Sequence, residues 1–141
     1  MSIAPDTPCP CQSGAPYGDC CEPFHTGQAL PPTAARLMRS RYCAYALGLV
    51  DYLITTTHRE NEQFTKNTMA WRLDLSQYCK NLDCRGLVIR EEFPGETESV
   101  VVFEASLAFK GSPYKLFERS VFKKAGKRWL YHSGDSKTIT E

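Results

Sequence analysis

Four of the seven cysteines in this 141-residue chain, Cys9, Cys11, Cys20 and Cys21, fall within thirteen residues in the pattern C-x-C-x8-C-C. Adjacent Cα atoms lie about 3.8 Å apart, below the usual disulfide range, so a Cys20–Cys21 bridge would be strained. The odd cysteine total also argues against a fully paired secreted framework. Four thiolates around one cation avoid both difficulties, because Zn²⁺ takes sulfur at about 2.3 Å in a tetrahedron and tolerates tight turns between ligands. The expected ligands are Cys9, Cys11, Cys20 and Cys21, with His25 as the alternative to Cys21, since imidazole also binds zinc. A closed four-thiolate site has no position for a reacting water, so the zinc is read as structural and metal hydrolysis is disfavoured. The other reading of the same thiols is a redox sensor that ejects zinc on oxidation. Cys43, Cys79 and Cys84 stand outside the cluster and read as buried small apolar residues.

The residues between the cysteines must curl the chain round the ion. Pro10 fixes one φ, Gly14 accepts a positive one, Ser13 can bond locally to backbone, and Tyr17 offers a ring to cover a site too small for its own core. Such a unit depends on its staple: structural zinc supplies roughly 10–16 kcal/mol of apparent folding free energy at neutral pH. Without metal, residues 9–25 are expected to be disordered. Residues 27–32, Gly-Gln-Ala-Leu-Pro-Pro, read as the link, which divides the chain into a zinc knuckle with linker at 1–30 and a main domain at 31–141.

In the main domain, Thr33 can cap a helix running to about residue 47, with Leu37, Met38, Arg41, Tyr42 and Tyr45 at helical intervals. Gly48 interrupts it, a second helix follows over 49–56, loop over 61–67, and a third lies within 65–81. From residue 85 the period changes to two. Val101, Phe103, Ala105, Leu107 and Phe109 make one apolar face, and turn signals divide 85–133 into four strands near 85–93, 98–110, 114–124 and 127–133. Helices followed by strands imply an α+β layer with helices on one face of an antiparallel meander. The opposite face of the long strand, with Val100, Val102, Glu104, Ser106 and Ala108, is partly polar and could face either a ligand or solvent.

The run Cys9-Pro10-Cys11-Gln12-Ser13-Gly14 with Tyr17 and Cys20-Cys21 resembles the SEC-C motif, a zinc-binding element also found at the C-terminal end of the SecA translocation motor. Leu37-Met38-Arg39-Ser40-Arg41-Tyr42, Ala44-Tyr45, Asp51-Tyr52-Leu53, Glu118-Arg119-Ser120, Phe122 and Trp129 extend the likeness to the YchJ family of small bacterial proteins. The resemblance implies metal ligands at Cys9, Cys11, Cys20 and Cys21. It also implies that the helices pack on a curved four-stranded sheet in a cone of the nuclear transport factor-like or cystatin-like kind. The resemblance informs the fold much more than the function. The chain departs from the pattern at Gln12, where glycine is usual, at Ala15-Pro16, and at Phe117 and Val121, where relatives carry histidine and arginine.

Hydrophobic residues at 42% and charged residues at 23% fit a folded protein, and a net charge of +1 gives the whole molecule no pull toward nucleic acid or an anionic membrane. Residues 1–35 carry Asp6, Asp19 and Glu22 and no lysine or arginine, so the knuckle should repel nucleic acid. Residues 110–128 carry seven basic residues against Glu118, or +6; that end of the domain is a candidate to dock the acidic knuckle. No run approaches the roughly 20 apolar residues of a membrane span, and the first ten residues do not resemble a signal peptide, so a cytoplasmic protein is expected. Arg41 and Glu118 are proposed as a structural ion pair or an anion-binding group. His58 and His132 receive no task. The leading expectation is a zinc-containing binding or adaptor protein with a protein partner at the knuckle. The alternative is a small-molecule receptor or enzyme using a pocket of the main domain.

Overall fold

The computed structural model describes residues 3–140. The knuckle holds one short helix, α1 (Glu22–His25), after a single 3-10 turn at Tyr17–Asp19. Three helices follow, α2 (Ala34–Leu47), α3 (Val50–Thr55) and α4 (Thr68–Asn81), then strands β1 (Leu82–Phe93), β2 (Glu98–Phe109), β3 (Ser112–Ala125) and β4 (Arg128–Thr140). Thr33 caps α2 as its sequence position requires, its hydroxyl accepting from the Arg36 N–H at 3.1 Å. Among the described residues no helix is long and apolar enough to cross a membrane.

The strands pair antiparallel in chain order. Between β2 and β3 only Lys110 and Gly111 make the turn, both with positive φ, a backbone whose twist matches that of the flanking strands. The α+β expectation stands, with helices on one face of four antiparallel strands, but the curved cone does not. Each short turn lays a strand beside the one before it, and nothing carries β4 round to β1. Both therefore end as edges, and the sheet is an open meander that neither curves round nor closes.

Val101, Phe103, Ala105 and Leu107 of β2 are buried against Leu37, Met38 and Tyr42 of α2, with Phe122 and Trp129 from β3 and β4 in the same core. That core is continuous with the knuckle, since Cys9, Cys11, Tyr17, Cys20 and Cys21 belong to it. The knuckle docks on α2 rather than on the basic hairpins. Arg39 donates to the Cys11 carbonyl at 2.8 Å, His25 Nε2 bonds the Ser40 carbonyl at 2.8 Å, and the Arg36 guanidinium lies 5.1 Å from the centre of the Phe24 ring. Two basic residues of β3 are otherwise engaged: Lys115 pairs with Glu104 and Lys123 with Glu98. Long-range charge complementarity loses here to short directional bonds, which water screens far less.

Candidate functional site

The four clustered sulfurs meet. Cys9, Cys11, Cys20 and Cys21 place their Sγ atoms within 4.8 Å of one another, with Cys11–Cys20 at 3.6 Å and Cys20–Cys21 at 3.9 Å. A tetrahedron of sulfur about 2.3 Å from a zinc ion has edges of about 3.8 Å, so the donor set and its spacing fit that ion. The loop achieves this by folding back on itself. Pro8 bridges Pro16, Cys9 N–H donates to Ala15 at 2.9 Å, and Gln12 N–H donates to Cys9 at 3.1 Å. Ser13 Oγ lies 3.2 Å from Cys20 Sγ, in place to donate to a thiolate. All four cysteines are buried. Hydrogen bonds from Cys11, then Cys21 and Cys43, hold the Cys9 thiol well below its usual range, whereas burial pushes Cys20 up to about 11.

His25 stands beside the cluster with both ring nitrogens engaged. A carbonyl only accepts, so Nε2 carries the proton shared with Ser40, and Nδ1 accepts from the Tyr17 hydroxyl at 2.6 Å. Burial lowers its pKa and keeps it neutral. Cys21 therefore completes the thiol set, and His25 ties it to α2. A fifth sulfur was not expected: Cys43 Sγ lies 4.0 Å from Cys9 Sγ. The signal for it was helix arithmetic, because Arg39, Ser40 and Cys43 are three and four residues apart on the face of α2 that receives the knuckle.

A cavity of about 1130 Å³ lies between the helices and the sheet. It opens on the Phe103–Ala105–Leu107 face of β2, the face expected to be covered by helices. The partly polar opposite face is not the ligand-facing one, since its Glu104 is tied to Arg90 and Lys115. Trp71 and Tyr78 from α4 and Tyr45 from α2 supply aromatic wall, while Glu118 and Ser120 project two residues apart from β3. Arg41 and Glu118 both line this cavity without forming a direct ion pair. Arg41 donates to Leu53 O at 3.0 Å and to Thr56 Oγ1 at 2.7 Å, and its guanidinium stacks over Tyr131. Glu118 Oε2 accepts from Ser120 Oγ and from Tyr131 Oη at 3.0 Å.

Two family models match this arrangement in two segments: the SEC-C motif over residues 7–23, and the middle, NTF2-like domain of YchJ over residues 33–134. The chain belongs to the YchJ family. Curated relatives are described as UPF0225 proteins. That of Deinococcus radiodurans is 41% identical over 128 residues, covering 90% of this chain and 88% of the relative. That of Actinobacillus succinogenes is 38% identical over 125 residues, covering 87% and 78%. The solution structure of a SEC-C motif containing protein from Rhodopseudomonas palustris superposes with a TM-score of 0.79 at 31% identity, over 90% of this chain and 96% of that one. The crystal structure of a SEC-C motif containing protein from Psychrobacter arcticus shares the fold, with a TM-score of 0.76 at 24% identity, over 92% and 82%.

The departures from the YchJ pattern have structural positions. Gln12 takes a φ of 69°, the left-handed region in which glycine is unstrained. Phe117 and Val121 alternate with Glu118 and Ser120 along β3, so they lie on the face away from the cavity and take no polar group from its wall.

Proposed function

We propose that this YchJ-family chain is a small-molecule-binding protein whose Cys9, Cys11, Cys20 and Cys21 site holds a structural zinc ion. The observation that carries the reading is Glu118. Both of its hydrogen bonds fall on Oε2, which leaves the second oxygen, on the wall of a roomy aromatic cavity, available to accept from a ligand. A cavity of this size with a few convergent polar groups suits a ring-bearing metabolite with a hydrogen-bond donor. The zinc contributes by fixing the knuckle against α2, which carries Arg41 and Tyr45 into the wall. No side chain is assigned a catalytic role.

A thermal-shift screen of the zinc-loaded chain against a library of aromatic and heterocyclic metabolites tests this. Binders should raise the melting temperature of the native chain and shift Glu118→Gln at least tenfold less strongly in concentration. A library without a binder, or binders indifferent to Glu118, would count against the proposal. Partner binding at the knuckle is the weaker reading, supported by its exposed residues Asp6, Gln12 and Asp19. The redox reading is favoured by one observation, the 4.0 Å approach of Cys43 to Cys9. Peroxide converts one thiolate to a sulfenic acid, and the second thiol displaces water from it to give a disulfide, removing Cys9 from the metal. Zinc release by peroxide that slows in Cys43→Ala supports that reading; equal rates oppose it.

A further inference from the structure

His58, Glu60 and His132 form a second group of ligating side chains that shares no residue with the cysteine cluster. Their ligand atoms also lie within 4.8 Å of one another. The sequence gives no hint of this, since two of the residues follow α3 and the third sits on the last strand. A register break in the β3–β4 ladder brings them together. Val121 pairs with Ser133 and Phe122 with Tyr131, so His132 is the extra, unpaired residue of a bulge, a device that re-aims a side chain. The chain after α3 is pinned to the same spot. Tyr131 N–H donates to Thr56 O at 2.8 Å, His58 N–H to Tyr131 O at 2.8 Å, and Asn61 Nδ2 to His132 O at 2.8 Å. These bonds hold the segment on both sides of the histidine.

We propose that His58, Glu60 and His132 bind a divalent transition-metal ion at the rim of the cavity. His132 Nε2 and Glu60 Oε1 are 3.0 Å apart. Two donors at that separation, each about 2.1 Å from a metal, subtend an angle of about 90°, the angle between neighbouring positions of an octahedron. His132 Nδ1 lies 2.9 Å from Ser133 Oγ, so when Nε2 turns its lone pair to an ion the hydroxyl accepts the Nδ1 proton. That is the outer-shell bond that fixes the tautomer of a ligating histidine. The His58 ring stands 5.2 Å from that of His132. Its Nδ1 accepts from the Glu60 N–H at 3.0 Å, an exposed bond that water replaces when the ring takes the ion. Two imidazoles with one carboxylate select zinc, cobalt, nickel or iron(II) over magnesium and calcium. Glu60 and His132 line the cavity, so three protein ligands leave coordination positions at its mouth. This site stands independently of the small-molecule reading.

The test uses the tag-free, zinc-loaded full chain titrated with Co²⁺, followed by calorimetry, absorption and amide spectra. The chain has three histidines, and His25 is engaged at both nitrogens, so little else competes for an imidazole-seeking ion. One Co²⁺ should bind in addition to the cysteine-held zinc, without the intense thiolate-to-cobalt absorption that zinc displacement would give. Its paramagnetic broadening should centre on residues 57–61 and 131–134. His58→Gln, Glu60→Gln and His132→Gln should each weaken binding at least tenfold. Glu60 is exposed, so its variant should keep the native melting temperature and zinc content, which separates lost ligation from lost fold. Absence of the second equivalent, broadening centred elsewhere, or unchanged affinity in the three variants would overturn the assignment.

Discussion

The Arg41 guanidinium carbon lies 4.9 Å from the centre of the Tyr131 ring, and the hydroxyl of that ring donates to Glu118 at 3.0 Å. A buried cation and a half-buried carboxylate thus share a wall through an aromatic ring that contacts both, instead of meeting in an ion pair. The charge on Arg41 is balanced by oxygen acceptors of Leu53, Thr56 and Thr57 and by the ring face. Both line the cavity, Arg41 with its bonds turned into the supporting α3 segment and Glu118 with both of its bonds on one oxygen.

Arg41→Lys should destabilise the protein by roughly 2–3 kcal/mol, because an ammonium cannot stack on Tyr131 and serve the α3 acceptors in one plane. Tyr131→Phe keeps the stack and removes one bond to Glu118, so it should cost only about 1 kcal/mol. Denaturant midpoints at constant m-value check both, and equal losses would contradict the division of roles.

Gly134→Ala probes the same wall by steric means. A methyl there would meet Glu118 Oε2 and the Tyr131 hydroxyl, each at 2.5 Å, so the two side chains must part. A loss of roughly 1–3 kcal/mol is expected, together with weakened binding of any ligand found by the screen. A neutral substitution would show that the Tyr131–Glu118 bond is dispensable.

At the proposed zinc site, Cys9→Ala should abolish stoichiometric zinc, while Cys43→Ala should retain it and lose about 1 kcal/mol by emptying a fully buried position. If zinc holds the knuckle as proposed, chelation should release protection of its amides first. Elemental analysis and amide exchange read the two effects separately.

Gln12→Gly should stabilise the zinc-loaded knuckle by up to about 1 kcal/mol, because it relieves a left-handed side chain at some cost in unfolded-state entropy. Slower loss of zinc to a chelator would register the gain. A variant that releases zinc faster would show that the Gln12 side chain contributes something the strain conceals.

Burial pushes the Cys84 thiol up to about 12. At pH 8 its thiolate fraction is then about one part in ten thousand, so alkylation in the folded protein should run on the order of a thousandfold slower than for a free cysteine. The rate should rise about tenfold per pH unit until the thiol ionises, or at once on unfolding. Rapid modification at pH 8 would place Cys84 in a wetter setting than its position on β1 implies.

Local chemistry was legible in the residues themselves. C-x-C-x8-C-C named four converging sulfurs, Thr33 and Gly48 bounded α2, and the alternation through Val101, Phe103, Ala105 and Leu107 gave the covered face of β2. Each of these depends on neighbours a few positions away, where spacing fixes geometry. What remained hidden depends on contacts between distant segments. The approach of Cys43 to Cys9 requires the knuckle to sit on α2, the open sheet follows from strand pairing, and the Arg41–Tyr131–Glu118 wall joins three separate elements. The grouping of His58, Glu60 and His132 needs one unpaired residue in the last strand, a register event that periodicity along a single chain does not encode.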